Sequence, residues 1–538
     1  MSMSTDMESG NWRGVPLTEI WGAVSPWGAP EFPLVVPAAD HTVLYRISSL
    51  ELDKQPPEPQ NGEDKWDDDF VKMPCNSQSL HRVEDSSGET YMKKCWDLIQ
   101  TALSQPIRNS QELADAILSY NTQLKDTWKF KALHKLLNEH LEKEESQHFF
   151  DVTLHQMTKL ALDLPKLIQS PIPVLKQNKN QSISLTQQQI SSLLANAFFC
   201  TFPRLKQEDS KEKTSEYVFM PRFNFNTLYE TSGADHVLGK LKCLLNYFRR
   251  VCTEVPVGAV TFSRRSVPDH CPDWSKSSAS LSVPLHVDSS TGIEDADGLI
   301  QMDFANKRLG GGVLRRGCVQ EEIRFVICPE LLVSMLFTET LLPHEAVMII
   351  GCERYNNHSG YSRTFRFEGD YRDVTPSDSC RRRRVAVLAM DATPYRGDKY
   401  LQYTLPAIHR ELNKAWVGFS FYSKDQPSGI QYPGVATGNW GCGAYGGFPQ
   451  LKTLIQLMAC AEARRPMAYY TFNDEGIRDE FVNIYNLLKE HKVTVGQLYQ
   501  LIARFCTTDV RKGSLHAFIH QALNSGDLLS TDNTGYSH

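Results

Sequence analysis

The amino-acid sequence predicts a helical segment followed by an α/β layer sandwich. Three observations carry that prediction. Apolar residues recur at helical spacing between about residues 91 and 251, and short apolar runs alternate with helical stretches after about residue 255. A hydrophobic fraction of 41% over 538 residues is enough for a large core and more than one domain.

Residues 1–85 are rich in Pro, Gly and acids, as in Pro56-Pro57-Glu58-Pro59 and Asp67-Asp68-Asp69, and read as an extended arm. Apolar anchors such as Val43-Leu44-Tyr45 imply docking of that arm on the rest of the chain. A helical domain is expected over 86–250. There Thr186-Gln187-Gln188-Gln189 matches the capping-box pattern, and Ile190, Leu193, Leu194, Ala197 and Phe198 follow at i, i+3, i+4, i+7 and i+8. Similar stripes cover 96–103, 114–120, 133–141 and 237–248, with surface loops expected at 169–173 and 207–213. The α/β domain is expected over 251–510. Its candidate strands are 259–262, 299–304, 323–328, 347–351, 385–390 and 468–472, and its candidate helices 329–337, 405–414, 450–460 and 478–490. Such alternation indicates a layered α/β fold. Residues 511–538 read as a C-terminal tail.

The formal net charge of −6, with a pI near 6.3, speaks against a broad basic footprint for nucleic acid, so no direct DNA binding is expected and any polyanion must meet a local site. Thirteen cysteines are scattered without CxxC spacing, which suits a reducing compartment better than a disulfide framework. The N-terminus lacks a secretory pattern, and no apolar run approaches the ~18 residues of a membrane helix. The expectation is a soluble, monomeric protein of nucleus and cytoplasm.

Three constellations can carry chemistry. Gly310-Gly311-Gly312 is followed, after seven residues, by Gln320-Glu321-Glu322 at the mouth of the candidate strand 323–328. Consecutive glycines let backbone approach a ligand closely. Adjacent carboxyls, if buried, cannot both ionise freely, and one can serve as a general acid. A surface turn with two solvated glutamates would show the same residues. The second constellation is Gly438-Asn439-Trp440-Gly441-Cys442-Gly443-Ala444-Tyr445-Gly446-Gly447 ahead of a helix. Gly441, Gly443 and Gly446 spell GxGxxG, but the loop follows Pro433-Gly434 and not a recognisable strand, and no acid ends the next strand. A dinucleotide fold is therefore not expected, whereas a pyrophosphate at the helix start, or an ordinary tight loop, is. The third, Met302-Asp303-Phe304-Ala305-Asn306, ends an apolar run where α/β folds bind ligands, although Asp-Asn turns are common. Arg381 to Arg384 read as a solvated strand entry or a nuclear signal. Asp269-His270-Cys271 and His344-Glu345 lack partners at ligand spacing, so no metal is predicted.

Together these residues resemble the metazoan poly(ADP-ribose) glycohydrolase family. The signature Gly triplet, spacer and Gln-Glu-Glu stands at Gly310-Gly311-Gly312 and Gln320-Glu321-Glu322. The likeness continues through Val319 to Phe325, Asp303 to Asn306, Gly438 to Ala444, Ser191 to Pro203 and Val71 to Cys75, covering roughly residues 15 to 510. The resemblance implies a macrodomain (a mixed-sheet α/β/α sandwich) with an N-terminal all-helical accessory domain. It implies Glu322 as catalytic acid/base, Glu321 as its neighbour orienting ribose hydroxyls, and Asp303, Asn306 and Gln320 in ribose and adenosine contacts. Gly310, Gly311 and Gly312, with Gly441, Gly443 and Gly446, would hold the diphosphate. Tyr361 would line the ligand, Phe472 would stack on adenine, Ile293 and Glu294 would meet its edge, and Asn439 and Tyr445 would close over the terminal ribose. His358 departs from a tyrosine in relatives.

The implied substrate is poly(ADP-ribose) on modified proteins, in the setting of the DNA damage response, cut from its free end to release ADP-ribose without a cofactor. On this expectation Glu322 carries the proton for the leaving oxygen while Glu321 stays ionised. The alternatives are a non-catalytic ADP-ribose-binding macrodomain reader and an inverting glycosidase pairing Asp303 with Glu322.

Overall fold

Between Glu345 and Ile350, Ala346, Met348 and Ile350 enter one apolar core while Val347 and Ile349 enter another. Ala386 and Leu388 divide from Val387 and Ala389 in the same way. That alternation is what a strand buried on both faces requires. The sheet is therefore the middle of three layers.

The computed structural model describes residues 10–21, 26–28, 31–51, 54–84, 87–203, 222–421 and 433–526. Its strands are β1 (Trp12–Gly14), β2 (His41–Val43), β3 (Leu80–Glu84), β4 (Thr90–Lys94), β5 (Gln181–Thr186), β6 (Ala259–Ser266) and β7 (Leu285–Asp288). They continue with β8 (Ile300–Asp303), β9 (Glu345–Ile350), β10 (Asn356–Ser359), β11 (Arg366–Asp370), β12 (Ala386–Ala389), β13 (Val435–Gly438) and β14 (Met467–Tyr470). Ten of them form one sheet in the order β1-β7-β14-β13-β8-β12-β9-β6-β5-β2, and β3-β4 and β10-β11 are separate hairpins. From β7 through β14, β13 and β8 to β12 the strands are parallel, so Asp288, Tyr470, Gly438, Asp303 and Ala389 end at one edge. Beyond β12 the sheet turns antiparallel through β9, β6 and β5.

One core joins the N-terminal helices, including Gln187–Phe198 and Asp235–Thr253, to the helix Gln320–Ile327. The other gathers Leu405–Phe419, Pro449–Ala463, Glu475–Glu490, Val495–Phe505 and Leu515–Asn524. Thr186 begins Gln187–Phe198 with the expected reciprocal cap: Gln189 N donates to Thr186 Oγ1 at 3.0 Å, and Thr186 N to Gln189 Oε1 at 2.9 Å. Val43, Leu44 and Tyr45 of the arm are buried, and β1 and β2 cover the two edges of the sheet.

Several expectations change. Residues 323–328 are not a strand. All but the capping Cys328 belong to the helix Gln320–Ile327, which Glu322 starts by accepting from Val319 N at 2.9 Å. A short apolar run does not itself distinguish a strand from a buried helix, and here the cap decides. The glycine loop at 439–447 does follow a strand, β13, which removes one ground for setting aside a dinucleotide fold; an acid ending the next strand is still lacking, since β14 leads into Thr471 and Phe472. β5 places a strand inside the segment read as helical. The C-terminal tail contains Leu515–Asn524, whose Leu515, Ile519, Ala522 and Leu523 form a buried stripe. The expected loop at 207–213 lies outside the described residues. Among the described residues, no helix is long and apolar enough to cross a membrane.

Candidate active site

The helix Gln320–Ile327 starts at the C-terminal edge of the parallel strands because Gln320 is bonded there. Its Nε2 donates to Met302 O at 2.9 Å and its Oε1 accepts from Phe304 N at 2.8 Å. The side chain thus extends the hydrogen bonding of β8 by one rung, and the next two residues of the helix stand over the strand end. Glu321 accepts from Gly310 N at 2.7 Å and Asn306 N at 2.8 Å. Glu322 accepts from Gly312 N at 2.9 Å, besides Val319 N. Gly311 N turns to Arg308 O at 3.1 Å. All three glycine amides are therefore committed inside the protein. Those of Gly310 and Gly312 hold the two carboxyls and are not free for the diphosphate expected of them, and the Gln320 amide is bonded to backbone at the end of β8. Gly310 (φ 83) and Gly311 (φ 49) take left-handed backbone to do this. A Cβ on Gly311 would stand 2.6 Å from Glu321 Oε2 and 2.7 Å from Glu322 Oε1.

Asp303 is wholly buried beneath the pair, with neither carboxyl oxygen hydrogen-bonded among the described residues. Burial pushes its pKa up to about 8, with Glu322 adding to the rise and the Arg324 guanidinium opposing it. Burial also raises Glu321, reinforced by Asp303 and Glu322, against the amides of Asn306 and Gly310. Both shifts run towards the protonated form, against the direction that an ionised Glu321 would need. Asp303 lies behind the surface of the site, with its side chain wholly buried.

Two buried lysines that the sequence did not single out organise the flanking loops. Lys240, on Asp235–Thr253, donates to Val313 O, Arg315 O and Gly317 O at 2.8, 2.8 and 2.6 Å, fixing the loop from the glycine triplet to the helix Gln320–Ile327. Burial lowers its pKa to about 8, opposed by Cys318 and Glu322. Lys452, on Pro449–Ala463, pairs with Glu411 and lies 4.2 Å from the ring centroid of Trp440, under the second glycine loop. A lysine in an amphipathic helix carries no sequence mark of such a role. In that loop the N–H groups of Gly441, Gly443 and Tyr445 make no hydrogen bond among the described residues, whereas Gly446 N is used by Gly443 O at 3.0 Å. Free amides ahead of the Pro449–Ala463 helix can meet a phosphate.

The remaining candidates form a rim. Asn306 Nδ2 donates to Tyr445 Oη at 2.9 Å, tying the two glycine loops together. Asn439 is held by Thr471 O and Tyr469 Oη at 3.1 and 2.9 Å and props the loop. Tyr361 and Phe472 come together with ring centroids 4.8 Å apart. Phe472 is 62% exposed and has φ 58, a strained presentation of an aromatic face. Ile293 packs beside Ala436, Ala468 and Tyr470. Although burial opposes its ionisation, Glu294 is held down to about 2 by the nearby His358 imidazole, a backbone amide and Arg324. His358 stacks on Phe365 at 5.6 Å, so the departure from tyrosine supplies Glu294 with an imidazole partner at 3.8 Å.

A groove of about 870 Å³ lies at the opposite edge of the sheet, at the N-terminal ends of β7 and β14, lined by Ser280, Ser282, Pro284, Arg464 and Pro466 among others. It contains none of the candidate residues. Paired carboxyls and an aromatic platform occur at the C-terminal edge, which is where open parallel sheets bind ligands. Among the described residues, no group of three or more His, Cys, Asp or Glu side chains is placed to hold a metal.

Two family models match the chain. "Poly (ADP-ribose) glycohydrolase (PARG), helical domain" matches residues 141–264, and "Poly (ADP-ribose) glycohydrolase (PARG), Macro domain fold" matches 271–479. Poly(ADP-ribose) glycohydrolase 1 of Arabidopsis thaliana is 32% identical over 483 residues, covering 74% of this chain and 85% of the relative. Probable poly(ADP-ribose) glycohydrolase 2 of the same plant is 30% identical over 445 residues, covering 72% and 83%. Poly(ADP-ribose) glycohydrolase 2 of Caenorhabditis elegans is 31% identical over 338 residues, covering 60% and 64%. With a helical domain joined to a macrodomain and matched over most of its length, the chain belongs to the poly(ADP-ribose) glycohydrolase family.

Proposed function

We propose that this protein hydrolyses the ribose–ribose O-glycosidic bonds of poly(ADP-ribose) from the free end, releasing ADP-ribose, with Glu322 as general acid/base. One observation carries the reading. Two adjacent carboxyls are clasped by the amides of a glycine triplet at the C-terminal edge of a parallel sheet, directly over the buried Asp303.

The scissile bond is an acetal, so the departing 2′-oxygen needs a proton and the anomeric carbon needs water. Glu322, 7% exposed against 3% for Glu321, is the more accessible of the two. It gives its proton to the leaving oxygen, which keeps the electron pair of the broken C–O bond. Water then adds to the oxocarbenium-like carbon and returns a proton to the Glu322 carboxylate. Neutral Glu321 and Asp303 lessen like-charge repulsion beside Glu322, and the Glu321 carboxyl can hydrogen-bond a ribose hydroxyl. Tyr361 and Phe472 offer the adenine a stacking face, and the free amides at Gly441, Gly443 and Tyr445 suit the diphosphate. Tyr445, bonded to Asn306, closes the ribose end, which favours attack on a terminal unit. Proton transfer and water addition require no cofactor. An inverting glycosidase using Asp303 as base is disfavoured, because Asp303 has no access to water.

Glu322→Gln keeps the shape and one of the two N–H acceptors but removes the proton donor. It should bind ADP-ribose with native affinity while polymer turnover falls by at least about a hundredfold. Calorimetry and product analysis on labelled polymer check this. Native turnover by the variant would exclude Glu322, and a wild-type chain that binds ADP-ribose without cleaving polymer would be a reader.

A further inference from the structure

The loop between the glycine triplet and the helix Gln320–Ile327 carries two adjacent arginines that the proposed hydrolysis does not use. Both ends of this loop grip Glu322, through Gly312 N and Val319 N. Its tip is closed by Arg315 N and Gly317 N, which donate to Gly312 O at 2.8 and 3.1 Å, and it is pinned from below by the three bonds of Lys240. Arg315 and Arg316 are exposed on this fixed tip, and neither makes an ion pair among the described residues. A second turn adjoins the first. Ser362 N donates to Cys318 O at 2.8 Å, and this turn presents Arg363, also exposed and without an ion pair among the described residues. His236 marks how near the two turns are. Its Nε2 lies 3.3 Å from Arg316 O, and burial, then Lys240 and Arg363, depress its proton affinity, with Asp235 opposing. A chain of net charge −6 thus gathers three unneutralised guanidiniums on two touching turns beside the residue proposed to break the bond.

We propose that Arg315, Arg316 and Arg363 form a subsite on the leaving-group side of Glu322, which binds the diphosphate of the polymer unit that remains after cleavage. The inference rests on the hydrolase reading above. The leaving 2′-oxygen belongs to the adenosine ribose of the next unit, so that unit's 5′-diphosphate lies one sugar away from Glu322. A long side chain ending in a planar fork of donors spans that gap and matches phosphate oxygens. The subsite engages chain and not the terminal unit, so it acts on polymer capture and leaves bond breaking alone.

The test compares native protein with the triple variant Arg315→Glu, Arg316→Glu, Arg363→Glu on two substrates. One is long polymer; the other is ADP-ribose carrying a neutral aryl leaving group at the same anomeric carbon. The expected result is a polymer KM raised about tenfold or more, a flatter dependence of that KM on salt, and unchanged kcat and KM for the aryl substrate. An unchanged polymer KM overturns the subsite, and so does equal damage on both substrates, which would report a distorted loop. Inhibition by a single-stranded DNA oligonucleotide as strong as that by polymer of equal charge also overturns it, in favour of a nucleic-acid surface. Failure of the native chain to cleave even the aryl substrate sinks the hydrolase reading itself, which is a different outcome from native aryl cleavage with an unmoved polymer KM.

Discussion

At the residue scale, Asp303 shows how a site group can cost stability. Its carboxyl is buried without a hydrogen-bond partner among the described residues, and its pKa is raised to about 8. Below the unfolded value near 4 both states are protonated and folding pays nothing for it. Between there and about 8 the native state keeps a proton that the unfolded chain releases, so stability falls as pH rises through that window. Asp303→Asn keeps the shape and never ionises. It should be more stable than the native chain by about 1–3 kcal/mol at pH 8, with the gap closing towards pH 4, as read from urea unfolding at both values. A constant difference across that range would show that Asp303 carries no proton in the native state. The position was legible in the sequence as an acid ending an apolar run. Its proton was not, because desolvation depends on what the tertiary fold packs above it.

At the scale of elements, the glycine triplet, the helix Gln320–Ile327 and the Lys240 helix are joined by hydrogen bonds into one unit. Gly311→Ala puts a methyl within 2.7 Å of both glutamates at a φ of 49, and must push at least one carboxyl aside. Turnover should fall roughly a hundredfold, as a misplacement of about an ångström costs, while the thermal midpoint moves by only a few degrees. Retained activity would mean that the amide clasp is dispensable. Lys240→Met keeps the stem and removes three donors from buried carbonyls. We expect a loss of about 2–4 kcal/mol in denaturant unfolding, together with a lower kcat on the aryl substrate, which does not reach the arginines, because the loop holds Glu322 through Gly312 N and Val319 N. The capping box at Thr186 was legible, since its signal is local. The apolar run 323–328 reads as a strand although most of it is helical, because its residues satisfy either period, and Glu322 capping the helix became visible only in three dimensions.

For the whole molecule, the N-terminal arm finishes the sheet at both ends. β1 pairs with β7 and β2 with β5, and Val15 N donates to Leu285 O at 2.9 Å. Deleting residues 1–45 would expose two rows of unpaired backbone groups, the condition for edge-to-edge association. The truncated chain should aggregate at concentrations where the full chain stays dispersed, which light scattering during storage at constant temperature would detect. A dispersed, active truncation would show that the arm is only appended. The sequence suggested the docking through Val43-Leu44-Tyr45, but not that the arm would serve as strands, because three-residue pairings leave almost no periodicity to read.

The sequence by itself determined the division into helical and α/β parts, the order of the motifs and the family resemblance, because side-chain periodicity and short spacings are properties of neighbouring residues. Tertiary structure alone decided which groups the glycine amides serve, and it turned a supposed phosphate cradle into a clasp for Glu321 and Glu322. It alone brought Tyr361 to Phe472 and set Lys240 beneath the loop. Hydrogen-bond partnership and desolvation are set by what the folded chain places within a few ångströms, and distance along the sequence does not encode that.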